Sequence, residues 1–131
     1  MAKRKRQFFV AIVDDDAGVR AAIEDLLNSN GLRTRGFPSA EAFLLDAGEP
    51  GCGCLILDYR LPGMNGLELQ RELLAKGLAI PVIFATAEEE AFRLLQSPVV
   101  KAGAVAVLRK PFDSEELQRL VEAAVQARRR R

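Results

Sequence analysis

Apolar residues fall in short unbroken runs at Phe8–Val13, Cys54–Leu57, Ile80–Ala85 and Ala104–Leu108. Continuous rather than alternating runs predict strands buried on both faces, as in a parallel sheet covered by helices. Leu32–Phe37 is mixed and carries Arg33 and Arg35, which predicts an edge strand with one wet side. Helical spacing fills the gaps. Val19, Ala22, Ile23, Leu26 and Leu27 share one face, and Gly31 supplies a stop. Ser39 is placed to cap a short helix through Phe43 and Leu44. A third helix is predicted from Gly66 to Leu74, ended by Gly77, and a fourth from Glu88 to Gln96, ahead of the helix-breaking Pro98. Leu117, Leu120, Val121, Ala124 and Val125 mark a fifth, capped by Asp113 or Ser114, with Glu115 and Glu116 favourably placed in its first turn.

Strand and helix thus alternate five times, which predicts a single α/β domain with a parallel sheet and right-handed crossovers. The chain length of 131 residues suits one domain. The ends are basic: four of the 19 Lys and Arg residues lie at Lys3–Arg6 and four at Arg128–Arg131, leaving 11 against 18 acidic residues in the body. We read residues 1–7 as a basic N-terminal tail, 8–127 as the domain, and 128–131 as a basic C-terminal tail or the start of a linker. An acidic body with basic ends differs from a DNA-binding domain, which spreads cations over a folded face. There is no histidine, so any histidine chemistry must come from a partner. Cys52 and Cys54 are separated by one residue, which argues against a disulfide between them, and they read as reduced thiols in a reducing compartment. No apolar run approaches membrane-spanning length, and the six-residue run at Phe8–Val13 lacks a cleavage site and meets three aspartates. A soluble, cytoplasmic protein is expected.

In open parallel sheets, sites form at the C-terminal ends of strands. Here those ends carry Asp14-Asp15-Asp16, Asp58, Thr86 and Lys110-Pro111. Clustered carboxylates repel one another unless a cation joins them, and oxygen-only ligands suit Mg²⁺ or Mn²⁺. A hydroxyl and an ammonium beside them point to a shared anion. Together these groups describe a phosphoryl site with a carboxylate nucleophile. Each piece alone has a plainer reading: a helix cap, a turn residue, a helix start, a proline turn.

In Leu57-Asp58-Tyr59-Arg60-Leu61-Pro62-Gly63-Met64-Asn65-Gly66-Leu67-Glu68, in Val13–Asp16, in Ile80–Ala87 and in Lys101-Ala102-Gly103-Ala104 with Lys110-Pro111-Phe112, the chain resembles the receiver domains of two-component response regulators. The flavour is that of receivers preceding LuxR-type, FixJ-like DNA-binding domains. The resemblance runs from about Phe8 to about Ala127. It implies a doubly wound, flavodoxin-like sheet with strand order 2-1-3-4-5. It implies that Asp58 accepts a phosphoryl group from a partner histidine kinase or phosphotransfer protein. Asp15, Asp58 and the backbone carbonyl of Arg60 would hold the metal, with Asp14 acting through water. Lys110, before a cis bond to Pro111, would pair with the phosphoryl group, and Thr86 would hydrogen-bond it and draw its loop inward.

Two features depart from the family pattern. Val107 stands where a Tyr or Phe ring usually moves with the threonine, and the segment between Thr86 and Lys101 is longer than usual. Both predict an altered response on the output face. Arg60 and Glu88, each two residues past a site residue and opposite in charge, are expected to flank the pocket and pair as a gate against the hydrolytic water. The plainer reading is two solvated side chains. The preferred function is a regulatory phosphoacceptor rather than a turnover enzyme. A phosphorylation-independent binding module of the same fold is the alternative. An aspartyl-phosphate hydrolase ranks low, because Arg60 occupies the place of its second Asp. A homodimer through the face of the fourth helix, fifth strand and fifth helix is a further option. DNA would be reached only through a domain not present in this chain, and no membrane partner is expected.

Overall fold

The computed structural model describes residues 8–46, 51–97 and 104–129. Lys3–Arg6, Pro98, the Lys101-Ala102-Gly103 triplet and Arg130-Arg131 lie outside the described residues. The elements alternate as β1 (Phe9–Val13), α1 (Ala17–Asn28), β2 (Arg33–Phe37), α2 (Ala40–Asp46), β3 (Cys52–Asp58), α3 (Gly66–Ala75), β4 (Val82–Thr86), α4 (Glu89–Leu95), β5 (Ala106–Arg109) and α5 (Ser114–Arg129). The strands form one parallel sheet in the order β2-β1-β3-β4-β5.

The unbroken apolar runs have a simple cause. Ala11, Val13, Leu55, Leu57 and Phe84 face one way and pack against Phe43 of α2, Leu69 and Leu73 of α3, and Leu95 of α4. Val10, Ile12, Cys54, Ile56 and Ile83 face the other way, against Ile23 and Leu27 of α1 and Leu117 and Val121 of α5. Each of the Val, Leu, Ile and Phe side chains contributes roughly 1.5–3 kcal/mol on burial. β2 is the edge strand expected, with only Phe37 buried.

Local details differ from the sequence reading in instructive ways. β3 begins at Cys52 rather than Cys54, because the turn lies at Gly51, with φ +129°, and Gly53 runs extended within the strand. β4 begins after Pro81, which offers β3 a carbonyl, to the amide of Leu55 at 2.8 Å, but has no N–H. β5 begins at Ala106. α5 continues through Arg129, past the boundary placed at residue 127. Arg128 is therefore helical. Two turns on from Val121, it donates to the Ala79 carbonyl at 2.9 Å, with its guanidinium 5.7 Å from the Phe8 ring centroid.

Candidate functional site

Parallel pairing brings the ends of β1, β3, β4 and β5 to one edge, and the polar residues there meet. Lys110 Nζ lies 2.7 Å from Asp14 Oδ2 and 3.3 Å from Asp58 Oδ2. The second oxygen of each carboxylate takes a backbone donor: Asp16 N–H reaches Asp14 Oδ1 at 2.9 Å, and Arg60 N–H reaches Asp58 Oδ1 at 3.2 Å. Asp14 is buried, Asp58 half-buried and Asp15 exposed, and all three present carboxylate oxygens within 4.8 Å of one another. This donor set fits a hard divalent cation, since it is all oxygen and carries excess negative charge. Asp16 has a different task. It caps α1, its Oδ1 accepting from Gly18 N at 2.9 Å and Val19 N at 3.1 Å.

Charge and burial compete here. Burial pushes the Asp58 carboxyl above the usual carboxylate range; the Asp14 charge pushes the same way, while the Lys110 charge opposes both. Burial alone would lower Lys110, but the hydrogen bond to Asp14 and the charges of Asp58 and Asp14 leave it raised, so it stays an ammonium.

Thr86 is buried at the end of β4, where its Oγ1 accepts from Glu88 N–H at 3.2 Å. Its carbonyl accepts from Lys110 N–H at 2.8 Å, and the Lys110–Pro111 peptide is cis, as the resemblance implied. Arg60 and Glu88 do meet: Arg60 Nε donates to Glu88 Oε1 at 2.6 Å, with the Arg60 side chain largely and the Glu88 side chain about half in solvent. Val107 sits apart from this cluster. It pairs in register with Phe84 and packs, half-buried, against the main core, as a plain strand residue does.

The loop after Asp58 is held from below. Asn65 and Glu68 form a capping box at 2.8 and 2.9 Å that starts α3. Glu41 of α2 accepts from Met64 N–H at 2.9 Å and fills the space a Cβ at Gly63 would need; Gly63 itself has φ +77°. Arg20 of α1 donates from Nη1 to the Asp14 carbonyl at 2.6 Å. Sequence reasoning missed both supports. Glu41 looks like any first-turn acid and Arg20 like a residue on the wet face of an amphipathic helix; only the fold brings them to the loops.

The sequence and the fold have counterparts among known proteins. The family model described as the response regulator receiver domain matches residues 10–122. The response regulator protein TmoT of Ectopseudomonas mendocina is 43% identical over 88% of this chain and 52% of its own length. The transcriptional regulatory protein FixJ of Azorhizobium caulinodans is 40% identical over 88% of this chain and 54% of its own. The chain thus spans about half the length of these curated relatives. Among solved structures, FixJ-N matches with a TM-score of 0.80 at 34% identity, covering 92% of this chain and 94% of that one. The response regulator StyR matches with a TM-score of 0.80 at 38% identity, covering 95% of this chain and 63% of that one. The chain belongs to the response regulator receiver domain family.

Proposed function

We propose that this domain is a phosphoryl-accepting switch in which Asp58 is the nucleophile. The observation that carries the reading is the bridge from Lys110 Nζ to Asp14 and Asp58, which puts a fixed cation where phosphoryl oxygens would arrive. A carboxylate oxygen of Asp58 attacks phosphorus in a phosphohistidine of a sensor kinase or phosphotransfer protein. The P–N bond breaks, an acyl phosphate forms, and the imidazole nitrogen keeps the electron pair and takes up a proton. Lys110 neutralises the transferred oxygens, and Thr86 donates its hydroxyl proton to one of them. Such chemistry needs positioning and charge rather than a general base. Mg²⁺ (or Mn²⁺) would be held by Asp15, Asp58 and the Arg60 carbonyl, with Asp14 acting through water. When bound it neutralises phosphoryl charge.

The role is regulatory rather than turnover catalysis, and the setting is the cytoplasm. Among the described residues no helix is long and apolar enough to cross a membrane. In the whole protein the output is transcriptional, through a DNA-binding domain; the names of relatives such as FixJ and TdiR as transcriptional regulatory proteins support this. The Arg60–Glu88 pair serves as a gate that limits access of the hydrolytic water. The exposed Leu94 and Val105, on α4 and just before β5, support a homodimer through the α4–β5–α5 face. Val107 favours the second reading, a module whose output no longer follows phosphorylation. The test is titration with beryllofluoride and Mg²⁺, followed by amide NMR. Saturable shifts at Asp58, Thr86 and Lys110 are expected; unmoved resonances there would overturn the switch.

A further inference from the structure

Beyond the phosphoryl pocket, a second linkage joins β4 and β5. Thr86 and Arg109 are register partners, and the Lys110 amide bonds the Thr86 carbonyl at 2.8 Å. One residue before Lys110 and three after Thr86, the side chains meet again. Arg109 Nη2 lies 2.9 Å from Glu89 Oε1 and 3.0 Å from Oε2. The same guanidinium stands 4.5 Å above the Phe92 ring centroid. Glu89 and Phe92 lie three residues apart on one face of α4, so Arg109 is gripped by a carboxylate and a ring together. Val107, two residues back on the same side of β5, carries no polar atom or ring for such a grip.

We infer that Glu89 and Arg109 are a positioning pair, coupling the loop that carries Thr86 to the strand end that carries Lys110. The inference rests on the phosphoacceptor reading above. The pair is half in solvent, with side-chain exposures of 50% and 49%, so it adds little to overall stability. What it supplies is geometry. Displacement of the Thr86 loop moves the first turn of α4, and Glu89 transmits that to Arg109 and the Lys110 backbone. Coupling of this kind is reciprocal: whatever biases the loop also biases phosphoryl uptake. Arg93 Nε, 3.6 Å from Glu89 Oε2, competes for the same carboxylate and keeps α4 charged on this face whether or not Arg109 is engaged.

The test is a double-mutant cycle with Glu89→Gln, Arg109→Gln and both together. The phosphoryl uptake rate from acetyl phosphate is read beside the hydrogen exchange of the Lys110 amide. Each single variant is expected to change the uptake rate by about threefold or more, with the double no worse than the larger single. Thermal stability stays near wild type, which separates positioning from loss of fold. Lys110 amide exchange is expected to quicken in each single variant and no further in the double, with no phosphoryl group required. Effects that simply multiply, or single variants at wild-type values in both readouts, overturn the pair. A wild type that takes no phosphoryl group, while Lys110 exchange follows the cycle, overturns the acceptor reading and leaves the coupling standing.

Discussion

Gly66 and Asp58 meet backbone to backbone: a Cβ on Gly66 would lie 2.5 Å from the Asp58 carbonyl oxygen. The first residue of α3 therefore sits against the acceptor itself, closed by the Gly66 N–H to the Tyr59 carbonyl at 2.8 Å. Gly66→Ala must push that backbone away. It is expected to cost about 1–3 kcal/mol in urea unfolding, as overpacking does. Phosphoryl uptake is expected to slow as well, because the acceptor shifts with its backbone. Wild-type stability and uptake in this variant would show that the contact relaxes freely.

The acidic cluster predicts stabilisation by metal. With Asp14, Asp15 and Asp58 sharing one edge, Mg²⁺ at tenfold its dissociation constant is expected to stabilise the wild type by about 1.4 kcal/mol. Asp15→Asn and Asp58→Asn each remove a carboxylate from this cluster and are expected to blunt that gain in thermal melts with and without Mg²⁺. Asp58→Asn also removes like-charge repulsion, so its metal-free melting point is expected at or above wild type. An equal Mg²⁺ shift in all three proteins would contradict the assignment.

The gate makes a kinetic prediction. Arg60→Ala and Glu88→Ala each free the partner of the 2.6 Å contact and would remove the proposed gate. The phosphorylated form is expected to lose its phosphoryl group about three- to tenfold faster, which corresponds to up to about 1.4 kcal/mol in barrier. Decay at the wild-type rate in both variants would reduce the pair to a surface contact.

Chemistry at the cysteines should be silent. Burial pushes the Cys52 thiol up to about 11 and raises Cys54 further. At neutral pH both stay protonated and shielded, so neither is an effective nucleophile. In the native protein neither Cys52 nor Cys54 is expected to react with an aromatic disulfide reagent over the time in which both thiols of the urea-unfolded chain react fully. Fast labelling of the folded protein would contradict their place in the core.

Much of this was legible in the sequence. The continuous apolar runs revealed strands buried on both faces, and the polar residues at their ends, Asp14, Asp58, Thr86 and Lys110, became neighbours because a parallel sheet gathers its strand ends. Arg60 and Glu88 could be paired in advance because both follow site residues by the same interval. What stayed hidden depends on packing between distant elements. Glu41 reaches Met64 across 23 positions, and Arg109 reaches Glu89 across 20. Neither contact follows a helical or strand period, and surface charges carry no mark of the partner they will meet. The extent of α5 was hidden for a related reason: Arg128 reads as part of a basic run, and only the Ala79 carbonyl and the Phe8 ring give it a place in the fold.

The central claim is that Asp58 takes the phosphoryl group, and intact mass tests it most directly. Wild type and Asp58→Asn are incubated with acetyl phosphate and Mg²⁺, with fold checked by circular dichroism. One added phosphoryl group in the wild type and none in Asp58→Asn is the predicted result. A folded wild type that gains nothing, or an Asp58→Asn variant that gains as much, would contradict the account.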